Sequence, residues 1–167
     1  MKNFKEELEN IHAFVFDVDG VFTDGNVFIT AEGEFLRQYN FKDGMAVVRA
    51  IKMGYRIAII SGGRGQQLQH RMESLGIDHI YLEKESKIDS LLDFVRTTGV
   101  PMSQICYMGD DYPDLEPMSM VGLSVAPADA TDTVRARARH TSAFVGGKGC
   151  VRDIIEQVLR ARGDWFE

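Results

Sequence analysis

Residues Phe14 to Gly25 read FVFDVDGVFTDG. Three apolar residues run without a charge, and acids then follow at Asp17 and Asp19 with Gly20 behind them. A short run of that kind is the signature of a strand buried on both faces, as in a parallel sheet. Polar groups that come directly after such a strand lie at its carboxyl end, the edge at which open α/β sheets collect ligands. The stretch therefore predicts a central strand that aims two carboxylates at a ligand, provided the rest of the chain alternates strands with helices.

It does. Further apolar runs span Arg56 to Ile60, His79 to Leu82, Ile105 to Met108 and Gly122 to Val125. Between them Met45, Val48 and Ile51 recur at helical spacing from Asp43, an N-cap candidate, to Gly54. Leu68, Met72 and Leu75 do the same up to Gly76, and Ile88, Leu91, Leu92 and Val95 up to Gly99. Strands and helices in this order predict right-handed crossovers and a doubly wound parallel α/β sheet. One segment departs from the pattern: VFITAEGEFLRQY places two apolar stretches around Ala31, Glu32 and Gly33, a β-hairpin signal after the first strand. Its apolar load suits either an extension of the main sheet or a contact with another subunit.

The chain has 167 residues, 44% of them hydrophobic, enough for a single domain over 1–167 and too few for two. Nineteen Lys and Arg against 25 Asp and Glu give a formal charge of −6, which argues against nucleic acid or an anionic membrane as partner. MKNFKEELENIH mixes charges and has no long apolar run, so neither a signal peptide nor a membrane span is expected there. Cys106 and Cys150 have no paired spacing and read as reduced thiols, in keeping with a cytoplasmic protein.

Collecting the polar residues that follow each apolar run gives Asp17 and Asp19, then Ser61, then Asp110, Asp111 and Asp114, with Lys87 at the start of the third helix. Five carboxylates in one cleft repel one another unless a cation holds them. Oxygen donors without neighbouring His or Cys favour Mg²⁺ over Zn²⁺. A hydroxyl at Ser61, an ammonium at Lys87 and backbone N–H groups around Gly62 complete what a phosphoryl group requires. Asp17 is then a candidate nucleophile, and Asp19 a candidate general acid and base. An EF-hand loop is excluded because its fifth and sixth positions would be Val21 and Phe22. A receiver-type phospho-acceptor module is the stronger rival, but it wants its acceptor Asp after a middle strand, where this chain has Ser61.

DVDGVFTDG, IISG, Lys87 and GDDYPD, in that order, resemble the four motifs of the haloacid dehalogenase (HAD) phosphatase superfamily. The resemblance implies that Asp17 is the nucleophile, Asp19 the acid/base, and Ser61 and Lys87 the phosphoryl ligands. It also implies that Asp110 completes a Mg²⁺ site with Asp17 and the Asp19 carbonyl, supported by Asp111 and Asp114 either through water or from behind the ligands. Only 41 residues lie between Asp19 and Ser61, and 48 between Ser61 and Asp110, each span already used by the elements read above. No cap domain fits, so the cleft needs a macromolecular substrate or a lid from another subunit.

YNFKDGMAV, LGIDHIYLEKESK, VGLSVAPADA and GGKGCVRDI are similar to the 3-deoxy-D-manno-octulosonate 8-phosphate (KDO 8-phosphate) phosphatases, a capless, Mg²⁺-dependent, tetrameric branch of the superfamily. That similarity spans about Ile11 to Leu159. It implies a sugar-acid phosphate as substrate and a homotetramer in which a neighbour's hairpin covers the site. It also implies substrate contacts at Asn40, at Gly44, Met45, Ala46, Val47 and Val48, and at Arg71. In the loop after the second motif strand it adds Gly62, Gly63 and Arg64. The chain departs from the branch in that loop: where TGR is common it has Ser61, Gly62 and Gly63, with Arg64 displaced by one position. A glycine supplies no guanidinium, which leaves a nine-carbon keto-deoxy sugar-acid 9-phosphate as the alternative substrate. Trp165 and Phe166 near the end are expected either to fray or to dock on a neighbour.

Overall fold

The computed structural model describes residues 3–166. Helix α1 (Phe4–Glu9) opens on a capping box between Asn3 and Glu6 and leads into β1 (Ala13–Phe16). Two short strands follow, β2 (Phe28–Ile29) and β3 (Phe35–Leu36), and then α2 (Phe41–Lys52), β4 (Arg56–Ile60), α3 (Gln66–Ser74) and β5 (His79–Tyr81). The second half runs α4 (Lys87–Thr98), β6 (Ile105–Met108), α5 (Leu115–Met120), β7 (Leu123–Ala126), α6 (Asp132–Arg137), β8 (His140–Thr141) and α7 (Cys150–Arg162).

Six strands form one sheet in the order β5-β4-β1-β6-β7-β8, with parallel pairing throughout. From β1 the chain winds outward through β4 and β5, then returns to the other side of β1 for β6, β7 and β8. The order reverses between β1 and β6, so the crevice there is the topological switch point. Both faces of the sheet are covered, and alternate residues of each strand serve opposite cores. Phe14, Phe16, Ile57, Ile59, Cys106 and Met108 pack with α2, α3 and α7 on one side. Ala13, Val15, Ala58, Ile60, Ile105 and Tyr107 pack with α4 and α6 on the other. This is the doubly wound fold that the sequence predicts, and no separate cap is present among the described residues.

Several boundaries differ from expectation. β5 ends at Tyr81 instead of Leu82, and β7 starts at Leu123 instead of Gly122. Helix α2 begins earlier than predicted. Asn40, not Asp43, is its N-cap and accepts from the Lys42 and Asp43 amides, whereas Asp43 lies buried in the first turn and accepts from the Arg152 amide of α7. The hairpin does not extend the main sheet; β2 and β3 pair only with each other, and Phe28 and Ile29 remain 75% and 66% exposed. The tail neither frays nor leaves the chain. Trp165 is buried, Arg49 donates to the carbonyls of Asp164 and Trp165, and Tyr55 donates to the Asp164 carboxylate at 2.7 Å. Both cysteines are buried and unpaired, and among the described residues no helix is long and apolar enough to cross a membrane.

Candidate active site

A cleft of about 740 Å³ opens at the carboxyl ends of β1, β4 and β6. Asp17, Asp19, Ser61, Gly62, Gly63, Arg64, Lys87, Asp110 and Asp111 all line it, so residues from four separated stretches of sequence meet where strand order reverses. A larger groove of about 870 Å³ lies between α2 and α7 and is lined by Asn40, but none of those carboxylates reaches it. The chemistry belongs to the smaller cleft.

Asp17 leaves the end of β1 with both oxygens engaged: Oδ1 accepts from the Val18 amide at 2.6 Å and Oδ2 from Lys87 Nζ at 2.7 Å. Lys87 is the first residue of α4, where the helix dipole disfavours a cation. It stays because Nζ also donates to Asp114 Oδ1 at 2.7 Å, and both carboxylates hold the ammonium above its ordinary pKa although burial works against its charge. Asp114 is fully buried. The same Oδ1 accepts from the Tyr107 hydroxyl at 2.8 Å, and Oδ2 accepts from the Asp110 amide at 3.1 Å. Asp114, expected to support a metal through water or from behind its ligands, is a buried anchor that holds Lys87 and the Asp110 loop in place.

Oxygens of Asp17, Asp110 and Asp114 lie within 4.8 Å of one another. Burial first, and the neighbouring carboxylates second, push both Asp17 and Asp110 up to about 7. One ammonium therefore does not neutralise the cluster. Buried Asp17 and half-buried Asp110, backed by buried Asp114, carry surplus negative charge and offer oxygen donors only, so the residues present fit Mg²⁺. Gly20 makes the approach possible: its φ is +87°, and a Cβ there would stand 1.9 Å from Asp110 Oδ2. Thr23, buried, closes the loop by accepting from the Gly20 and Gly25 amides.

Ser61 is buried after β4, and its Oγ accepts from the Gly63 amide at 3.0 Å, which leaves the hydroxyl hydrogen for a ligand. Asp19 is half-buried, and Arg37 from the hairpin holds its carboxylate. Asp111 is exposed and caps the turn at Tyr112. Sequence reading missed Arg37, Tyr107 and Thr23. Of these only Arg37 carries a signal in the sequence, as the sole basic residue between Asp24 and Lys42.

The other sugar-contact candidates do not line this cleft. Gly44, Ala46 and Val47 are buried in α2, Met45 and Val48 are exposed on it, and the Asn40 side chain is occupied as the cap. Arg71 lies against Gly44 and over the rings of Tyr39 and Phe41. Its Nε and the Tyr39 hydroxyl are buried without partners.

Comparison with known proteins agrees with this geometry. Residues 76–152 match the model of a haloacid dehalogenase-like hydrolase family. The chain is 35% identical over 155 residues to the 3-deoxy-D-manno-octulosonate 8-phosphate phosphatase of Escherichia coli K12, covering 93% of this chain and 82% of that protein. The crystal structure of the Yersinia pestis phosphatase of the same name superposes with a TM-score of 0.94 at 34% identity, covering 96% of this chain and 86% of that one. The Moraxella catarrhalis phosphatase, solved in complex with magnesium ion, phosphate ion and KDO, gives 0.92 at 28% identity, covering 96% and 92%.

Proposed function

The chain belongs to the haloacid dehalogenase-like hydrolases, within the family of the 3-deoxy-D-manno-octulosonate 8-phosphate phosphatases, and from that premise we propose that it hydrolyses KDO 8-phosphate to KDO and phosphate with Mg²⁺ as cofactor. The observation that carries the reading is the convergence of Asp17, Ser61, Lys87 and Asp110 on one cleft at the switch point. Asp17 attacks phosphorus through the oxygen that Lys87 does not hold. The bond to the C8 oxygen breaks as Asp19 protonates that oxygen, and Asp19 then takes a proton from the water that opens the aspartyl-phosphate. Ser61 donates its free hydroxyl hydrogen and Lys87 its charge to the phosphoryl oxygens. Asp17, Asp110 and the Asp19 carbonyl would hold Mg²⁺, which neutralises charge on the phosphoryl group when bound. Arg71, whose guanidinium lies over the Tyr39 ring and whose Nε has no partner, is the sugar-acid contact that this reading retains outside the cleft.

The wider reading is a single hydrolase domain that acts in the cytoplasm on the way to the lipopolysaccharide inner core. It works as a homotetramer, with the hairpin of one subunit over the cleft of the next. Supporting this are the exposed Phe28, Ile29 and Leu36 of the hairpin, whose neighbours Val27 and Phe35 line the uncapped cleft.

The test is a phosphate-release assay with Mg²⁺ on KDO 8-phosphate and a nine-carbon keto-deoxy sugar-acid 9-phosphate. Multiple turnover with higher kcat/KM on the eight-carbon ester, lost in Asp17→Asn, is expected. A single stoichiometric phosphorylation without turnover would instead identify a receiver-type module, and a clear preference for the nine-carbon ester would change the substrate while keeping the chemistry.

A further inference from the structure

The hairpin sends one charged side chain into the cleft. Arg37, directly after β3, donates from Nε to Asp19 Oδ1 at 2.8 Å, from Nη2 to Asp19 Oδ2 at 3.2 Å, and from Nη1 to the Arg64 carbonyl at 3.3 Å. Both side chains line the cleft, but that of Arg37 is 5% exposed and that of Asp19 35%, so the carboxylate is the more open of the two groups. A fork on both oxygens fixes the plane of the carboxylate, which a single hydrogen bond does not.

Gly63 provides the space. A Cβ at this position would stand 3.0 Å from Arg37 Nη2, 3.1 Å from Asp19 Oδ2 and 3.1 Å from Ser61 Oγ, tighter than ordinary van der Waals contact with all three. Gly63 does not have the left-handed φ that would require glycine, so the neighbours account for its missing side chain. Arg64 does not make up the deficit: it is exposed, and its guanidinium lies 5.7 Å over the Phe35 ring of the hairpin.

We propose that Arg37 is a positioning residue for Asp19, and that its guanidinium occupies the space left by the missing side chain of Gly63. Arg37 acts through Asp19 and touches no reacting atom. Because the hairpin carries it, the orientation of the general acid is tied to the position of the hairpin. The inference rests on the assignment of Asp19 as the acid that protonates the leaving oxygen.

The experiment compares two esters. KDO 8-phosphate expels an alkoxide and needs the proton, whereas p-nitrophenyl phosphate expels a phenolate and does not. Steady-state phosphate release with Mg²⁺ is measured for wild type, Arg37→Met, Arg37→Lys, Asp19→Asn and the Arg37→Met/Asp19→Asn pair, with circular dichroism confirming the fold of each. General acid catalysis contributes about 10²–10⁴-fold, and losing its alignment should remove about 10- to 100-fold of kcat on the sugar ester. KM should stay within about threefold and the aryl ester should lose no more than about threefold. Arg37→Lys, which keeps the charge and loses the fork, should recover part of the loss. In the Asp19→Asn background Arg37→Met should add nothing, since groups acting as one unit are not additive. Arg37→Ala/Gly63→Arg, which returns the guanidinium from the loop side, should exceed Arg37→Ala. Equal losses on both esters, a change in KM alone, or full additivity with Asp19→Asn would overturn the role of Arg37 while leaving that of Asp19 standing. If Asp19→Asn itself depresses both esters equally, the general acid assignment fails and this inference with it.

Discussion

Lys87→Met tests the electrostatic account of the site most directly. Lys87 is buried, with Nζ 2.7 Å from Asp17 Oδ2 and 2.7 Å from Asp114 Oδ1, and no other ammonium or guanidinium within the described residues pairs with either carboxylate. Removing one partner of a buried ion pair typically costs about 3–5 kcal/mol. For a chain of this size each kcal/mol lowers the melting temperature by about 2–4 °C, so the metal-free variant should melt about 6–20 °C below wild type at alkaline pH. The loss depends on pH, and its sign follows from the raised carboxyls. Burial first, and like charge second, lift Asp17 and Asp110 from an ordinary 3.8 to about 7, and without Lys87 Asp17 rises further. The folded protein then keeps protons that the unfolded chain has released, so unfolding free energy falls as pH rises through that window. Below about pH 6, where the lost Lys87 contact with Asp114 is still felt, Asp17 is already protonated in both proteins and its part of the difference is small. Each extra proton retained by the variant widens it by about 1.4 kcal/mol per pH unit above that. Thermal melts in EDTA at pH 5.5, 7.0 and 8.5 measure this. Mg²⁺ should restore part of the stability by replacing the missing charge, without restoring turnover. A pH-independent loss, or one below about 1 kcal/mol at pH 8.5, would refute the reasoning.

Trp165→Ala should cost about 3 kcal/mol, as large-to-small changes at buried aromatics do, with a lower urea midpoint and little change in m-value. Unchanged stability would mean that the tail does not dock as described. On the proposed tetramer, Phe28→Asp combined with Ile29→Asp should leave the subunit's fold intact but lower the mass by light scattering toward that of a monomer and raise KM for the sugar ester. Retention of a fully active tetramer would remove the hairpin from the interface and from the lid.

Much of the site is legible in the sequence because it is built from strand ends. Runs such as FVF, repeated in alternation with helical patterns, read as strands buried on both faces, and the residues that follow then face the sheet's carboxyl edge. Asp17, Ser61 and Asp110 each follow such a run, so pattern alone brought them together. The weaker readings came from places where the local signal is ambiguous. Asp43 and Asn40 are both good caps, and what separates them is Asp43's tertiary hydrogen bond to the Arg152 amide on α7, 109 residues away. Trp165 looked like a loose end because what holds it is tertiary: Arg49 of α2 donates to its carbonyl across 116 residues, and Arg152 of α7 lies over its ring.

The sequence by itself determined the fold class, the order of the strands' functional ends, the acidic composition of the cleft and the need for a cation, because each follows from periodicity, position at a strand end, or like-charge repulsion. Only the tertiary structure decided how those groups are held. Asp114 turned out to anchor Lys87 and Tyr107, Gly20 to yield space to Asp110, and Gly63 to yield space to Arg37. The reason is physical: contacts between side chains distant in sequence depend on angle and on fractions of an ångström, which no one-dimensional pattern encodes. DVDG announces that two carboxylates face a ligand, and packing against the hairpin sets how the second of them is aimed.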